Sequence, residues 1–190
     1  MKDDHFQATT LPSNDGYTWT LTTRLGDMIA EVEKRYGQRD QSWTVLGIEF
    51  SPKEPQIWYP GNRKHVAIQL APNALQDTVL ACYQLAHESV HLLAPTGRKA
   101  APVIEEGLAT VFSEDYVQQK FYRTGLTNMR SYIEAAALVR ELLLIAPDAI
   151  PRLRSIQPAF TEMKNTTFVE AGLAVSESLV TRLLSPFCRE

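Results

Sequence analysis

LAHESVHLL, residues 85–93, is the stretch on which the reading of this chain turns. Its apolar positions suit a buried helix, yet it carries His87, Glu88 and His91. Residues four apart on a helix project from one face about a turn apart. His87 and His91 can therefore offer two imidazole nitrogens to one metal ion. Glu88 is rotated away from that face, so it is poorly placed as a third ligand but can reach a water on the metal. A bound zinc lowers the pKa of such a water to about 7, and a nearby carboxylate can take its proton as the water attacks a carbonyl. The competing reading is a structural helix with two packed histidines. A chance His-Glu-x-x-His occurs in roughly one chain in two hundred of this composition, which favours the metal site.

A catalytic zinc usually has three protein ligands and an open position. The remaining histidines are His5 and His65, and position 97, where a longer histidine pattern would need its third imidazole, is Gly97. The third ligand is then a carboxylate, and VIEEGLATVFSE offers Glu105 and Glu106. The link Pro95 to Ala101 suits an antiparallel turnaround between two helices. His91 lies about 4.5 Å from the end of the first helix and the Glu pair about 6 Å into the second, so both reach nearly the same level. Neighbouring helical residues differ by about 100° of rotation, so one of Glu105 and Glu106 faces the metal. The other is a solvent-facing or supporting residue.

HESVH followed by EEGLA resembles the gluzincin branch of the zincin metallopeptidases over roughly residues 65–115. The resemblance implies one zinc ion held by His87, His91 and Glu106, the last because Gly107 follows it, with Glu88 as general base. It also implies that the strand before the helix, HVAIQL, is a sheet edge on which an extended substrate docks. The acidic residue that thermolysin-like enzymes carry four positions after the third ligand is Thr110 here. Tyr116, Tyr122 and Tyr132 are candidates to stabilise the oxyanion.

Outward from this helix the pattern is α+β and zincin-like. LGDMIAEVEKRYG reads as an amphipathic helix from Leu25, preceded by a strand-like YTWTLTT. WTVLGIEF (43–50), QIWYP (56–60) and HVAIQL (65–70) are strand candidates, punctuated by prolines as in a short meander or hairpin. Together they make a sheet of three to four strands packed on the histidine helix, which spans about 75–94. Helices starting at Pro102, over 128–146 and over 167–184 follow, with Pro147, Pro151 and Pro158 breaking the chain between the last two. Residues 1–16 are a flexible arm and 17–190 a single domain, with an α/β part at 17–94 and a helical part at 95–190. Trp43, Trp58 and the run EAAALVRELLLIA are expected in the core, and His65 at a turn or surface.

The net charge of −3 argues against nucleic acid, since there is no basic excess to neutralise phosphates; no basic run exceeds a pair such as Arg98-Lys99. No 18-residue apolar run or leader-like segment appears, so no membrane partner is expected. Cys82 and Cys188 are read as free thiols, which fits the cytoplasm. The expected function is zinc-dependent hydrolysis of a peptide or polypeptide substrate. The alternatives are a non-catalytic, regulatory zincin-like module, or a protease dedicated to one partner protein.

Overall fold

The computed structural model describes residues 9–10, 18–97 and 100–190. The expected arm, apart from the backbone of Thr9–Thr10, and the Arg98-Lys99 pair lie outside them. The architecture is α+β, with a three-stranded sheet laid on helices. A two-residue antiparallel pair, β1 (Thr9–Thr10) with β2 (Thr18–Trp19), precedes it.

The strand-like run at 17–23 is split, because the Thr20 hydroxyl accepts from the Thr23 backbone at 3.2 Å and starts helix α1 (Leu21–Tyr36) four residues before Leu25. That side chain satisfies one of the free N–H groups of the first turn. Leu25, Met28, Val32 and Tyr36 form the buried stripe of α1, and Gly37, at φ 93°, ends it.

The sheet contains β3 (Thr44–Phe50), β4 (Gln56–Trp58) and β5 (His65–Leu70), in the order β3-β5-β4. The expected meander is only half present. β4 and β5 form an antiparallel hairpin, but β3 runs parallel to β5. HVAIQL is therefore the central strand, not the edge. Burial explains this: Val66, Ala67, Ile68 and Leu70 are all buried, as a strand covered on both faces requires, whereas β3 alternates. The edge nearest the histidine helix is β4. His65 opens β5 opposite Thr44 and is half-buried. Trp43 packs edge-on against Tyr59 at 5.5 Å. Trp58 contradicts the core expectation, being 42% exposed on the outward side of its short edge strand.

A short 3-10 turn (Pro72–Ala74) leads to α2 (Thr78–His91), which starts later than expected because Asp77 caps it, accepting from Leu80 N at 2.9 Å. After the link, Pro102 caps α3 (Val103–Phe121) rather than occupying its first turn. Then come α4 (Arg130–Ile145), α5 (Ala149–Ile156), α6 (Asn165–Glu170) and α7 (Glu177–Leu184). The single helix expected over 167–184 is divided at Gly172, whose φ of 65° cannot continue a right-handed helix. The run in α4 buries Ala135, Ala136, Leu138, Val139 and Leu142, while Leu144 and Ile145 are exposed.

One apolar cluster joins α1, β5, α2, α3 and α4 to α7, with Leu85, Ile104, Leu108 and Phe112 fully enclosed. No helix among the described residues is long and apolar enough to cross a membrane. Cys82 is buried, Cys188 exposed, and both are free.

Candidate metal centre

Three local devices aim the side chains of α2 and α3 at each other. Gln84 accepts from Ala71 N at 2.9 Å and donates to Asn73 Oδ1 at 3.1 Å, tying α2 to the end of β5. Beyond α2, Arg154 donates to Leu93 O at 3.3 Å and to Tyr36 O and Gly37 O at 2.7 Å each, joining the C-terminal ends of α1 and α2. On α3, a Cβ at Gly107 would overlap the carbonyl of Ala135 and come within 2.7 Å of Val139 Cγ2, so only glycine permits this approach of α4. That packing fixes the rotation of α3 at the position following Glu106.

With the helices so placed, His87 and His91 face Glu106. Its Oε2 lies 3.2 Å from His87 Nε2 and 3.8 Å from His91 Nε2. The donor atoms of the three residues all fall within 4.8 Å of one another. Donors at about 2.0–2.1 Å around a tetrahedral zinc are about 3.3–3.4 Å apart. Two imidazole nitrogens and one carboxylate oxygen gathered this closely could hold one divalent cation.

Glu105, which the sequence left as an alternative, points elsewhere on the same centre. His91 Nδ1 donates to Glu105 Oε1 at 2.8 Å. A carboxylate beyond the donor set, holding the far nitrogen, is what fixes a ligating imidazole's tautomer and orientation. Thr110 donates to the backbone carbonyl of Glu106 at 2.8 Å.

The electrostatics follow from three carboxylates packed around two histidines. Burial presses His91 toward neutrality, but Glu106, Glu105 and Glu88 outweigh it and raise its pKa from 6.5 to about 10. Burial alone would raise Glu106; His91 and His87 instead take it down from 4.5 to about 2. Glu88, only 4% exposed, is raised by burial against the opposing pull of His91 and His87. The field that holds a proton on His91 equally favours a dication between the rings.

A cleft of about 270 Å³ opens over this cluster, lined by His87, Glu88, His91, Glu105 and Glu106 on one side and by Gln56, Ile57 and Tyr59 on the other. Edge strand β4 thus forms one wall. Of the three candidate tyrosines, Tyr116 is buried beside Phe112 and Tyr122 is 90% exposed. Tyr132 lines the cleft with its ring 5.6 Å from that of His87. Burial and then Glu106 push its phenol pKa up, against Arg189. Tyr59 is raised to about 12 by burial and Glu105.

Sequence reasoning missed Tyr59 and Arg189 as cleft residues. Tyr59 stood in a strand candidate, where burial was the natural reading. Arg189 lies far downstream with no spacing to mark it. Comparison of the chain with family models, curated proteins and solved structures returned no significant match.

Proposed function

We propose that this protein is a zinc-dependent peptide-bond hydrolase of the gluzincin type. The observation that carries the reading is the convergence of His87, His91 and Glu106 in a cleft that also holds the buried carboxyl of Glu88. His87 and His91 from α2 and Glu106 from α3 would hold one zinc ion. When bound, zinc supplies Lewis acidity toward water and a carbonyl oxygen.

Glu88 takes a proton from a water in the cleft and delivers it to the departing amine. Burial raises the Glu88 carboxyl above its ordinary range, which makes its carboxylate a stronger base toward that water. Tyr132 stands on the wall beside His87, and its O–H donates to the oxygen that gains charge as the carbonyl is attacked. The free backbone edge of β4 pairs with an extended substrate chain running along the cleft. A purely structural metal site is less well supported. It would need a fourth protein ligand, and Glu105 is engaged on His91 Nδ1 instead.

The test is metal analysis beside a peptide-cleavage screen. One zinc per chain, retained in Glu88→Gln while hydrolysis disappears, is the expected result. Protein that retains no zinc after loading would overturn the reading.

A further inference from the structure

Beyond α7 the chain returns across the mouth of the cleft. Val103 N donates to Ser185 O at 2.9 Å and Phe187 N to Ala101 O at 3.0 Å, with Pro102 and Pro186 bridged antiparallel. The Phe187 ring lies 4.8 Å from Tyr132, and Glu190 N donates to Ser131 Oγ at 3.3 Å. These anchors hold Arg189 between them. Its guanidinium stands 5.6 Å from the centre of the Tyr132 ring, the same ring that packs against His87. It donates to Glu54 Oε2 at 3.1 Å, reaching the β3–β4 link on the sheet side.

This contact crosses a groove. A second cavity of about 200 Å³ lies beside the cleft, and Pro55, His87, Glu88, Tyr132 and Arg189 line both. Arg189 lines both cavities and Glu54 the second alone, so their contact stands at the junction of the two. The Glu54 side chain is 72% exposed and that of Arg189 is 41% exposed. Exposed ion pairs of this kind contribute little, so the contact is readily exchanged. A guanidinium backed by an aromatic ring, by contrast, is well oriented for a carboxylate. Its charge is felt at Glu88, Glu106 and Tyr132, so it shares the field of the reacting groups.

We propose that Arg189 is the specificity-determining residue of the groove, exchanging Glu54 for a carboxylate of the peptide substrate. The proposal rests on the hydrolase reading for its substrate class. Arg189 and His87 contact the same Tyr132 ring, and an extended chain advances about 3.3 Å per residue, so the carboxylate lies within about three residues of the bond cut. It belongs either to an Asp or Glu side chain or to the end of the peptide.

The experiment uses three pools of N-acetylated decapeptides, degenerate except at one position. The first carries Asp or Glu there with an amidated C-terminus. The second carries Asn or Gln with an amidated C-terminus, and the third Asn or Gln with a free C-terminal carboxylate. Retention on zinc-loaded Glu88→Gln protein is compared with retention on the same protein bearing Arg189→Gln or Glu54→Gln. Cleavage of the same pools by the wild type is followed in parallel.

The first or third pool is expected to be retained at least about tenfold better than the second, and Arg189→Gln to abolish the difference. Which pool wins identifies the source of the carboxylate. Glu54→Gln, which removes the competitor, is expected to strengthen retention of the winning pool by up to about fivefold. Equal retention of all three pools, or a preference that survives Arg189→Gln, overturns the proposal. Cleavage without preference rejects Arg189 while leaving the hydrolase reading intact. An Arg189-dependent preference in retention without any cleavage rejects the hydrolase reading while leaving Arg189 as the recognition residue.

Discussion

His91 Nδ1 donates to Glu105 Oε1 at 2.8 Å, which leaves the opposite ring nitrogen directed at Glu106, 3.8 Å away. Two adjacent glutamates of one helix turn thus have different tasks. Glu106 joins the donor cluster and Glu105 sets the orientation of one donor. Replacing Glu105 by alanine should therefore weaken zinc binding by about 10–100-fold without abolishing it. Glu105→Gln, which can still accept from Nδ1 through its amide oxygen, should fall between that variant and the wild type. Competition with a metallochromic chelator measures the series; equal affinity in all three proteins would remove Glu105 from the centre.

A proton and a bound zinc would compete for His91, and this fixes the sign of the pH dependence. Its pKa is raised from 6.5 to about 10, so its contribution to stability is complete below 6.5 and is lost as pH climbs toward 10. Glu106 is lowered from 4.5 to about 2, so its contribution is complete above 4.5 and is lost as pH falls toward 2. Chelator-treated protein should then melt highest between pH 4.5 and 6.5 and lower on either side. Zinc should reverse the alkaline limb, because binding displaces the His91 proton and its stabilisation therefore grows as pH rises toward 10. Thermal melts with and without zinc check both limbs. An alkaline limb unchanged in chelator-treated His91→Gln would show that another group causes it.

Gly107→Ala separates helix propensity from packing. In a free helix alanine would be favoured over glycine by about 1 kcal/mol. Here the added Cβ collides with the Ala135 carbonyl and with Val139 Cγ2 at 2.7 Å, and backbone cannot move aside cheaply. The variant should lose about 1–3 kcal/mol instead, a fall in melting temperature of a few degrees. Because Glu106 is the preceding residue, zinc affinity should fall with it. A stabilised Gly107→Ala protein would contradict this account of the α3–α4 contact.

The parts of this molecule that sequence made legible are those governed by local spacing. His87 and His91 share a face because four residues make about one turn, and the Pro95–Ala101 link brings Glu106 level with them. Thr20, Asp77 and Ser176 each cap a helix through a hydroxyl or carboxylate that the sequence displays, yet apolar periodicity hid all three starts. Strand order was harder, since β3 pairing parallel with β5 depends on which strand is covered on both faces, a tertiary fact. Arg189 and Tyr59 reach the cleft through nonlocal packing that no interval in the sequence encodes.

Arg154 offers the strongest test of how the scaffold holds the centre. It is 5% exposed, and its guanidinium donates to Tyr36 O, Gly37 O, Gln38 O, Leu93 O and Pro158 O over 2.7–3.3 Å. Burial lowers its pKa from 12.5 to about 10, opposed by Glu33 and Glu105, so it stays charged at neutral pH. Four of these carbonyls, Tyr36 O, Gly37 O, Gln38 O and Leu93 O, lie where α1 and α2 end, where a cation suits both hydrogen bonding and helix polarity. A lysine has one ammonium and cannot span five acceptors, so Arg154→Lys should cost about 2–4 kcal/mol and Arg154→Leu more. Urea unfolding measures both, with the slope unchanged if only the folded state is affected. Since Leu93 lies two residues beyond His91, Arg154→Lys should also loosen zinc binding. Undiminished stability in Arg154→Leu would mean that water satisfies these carbonyls equally well.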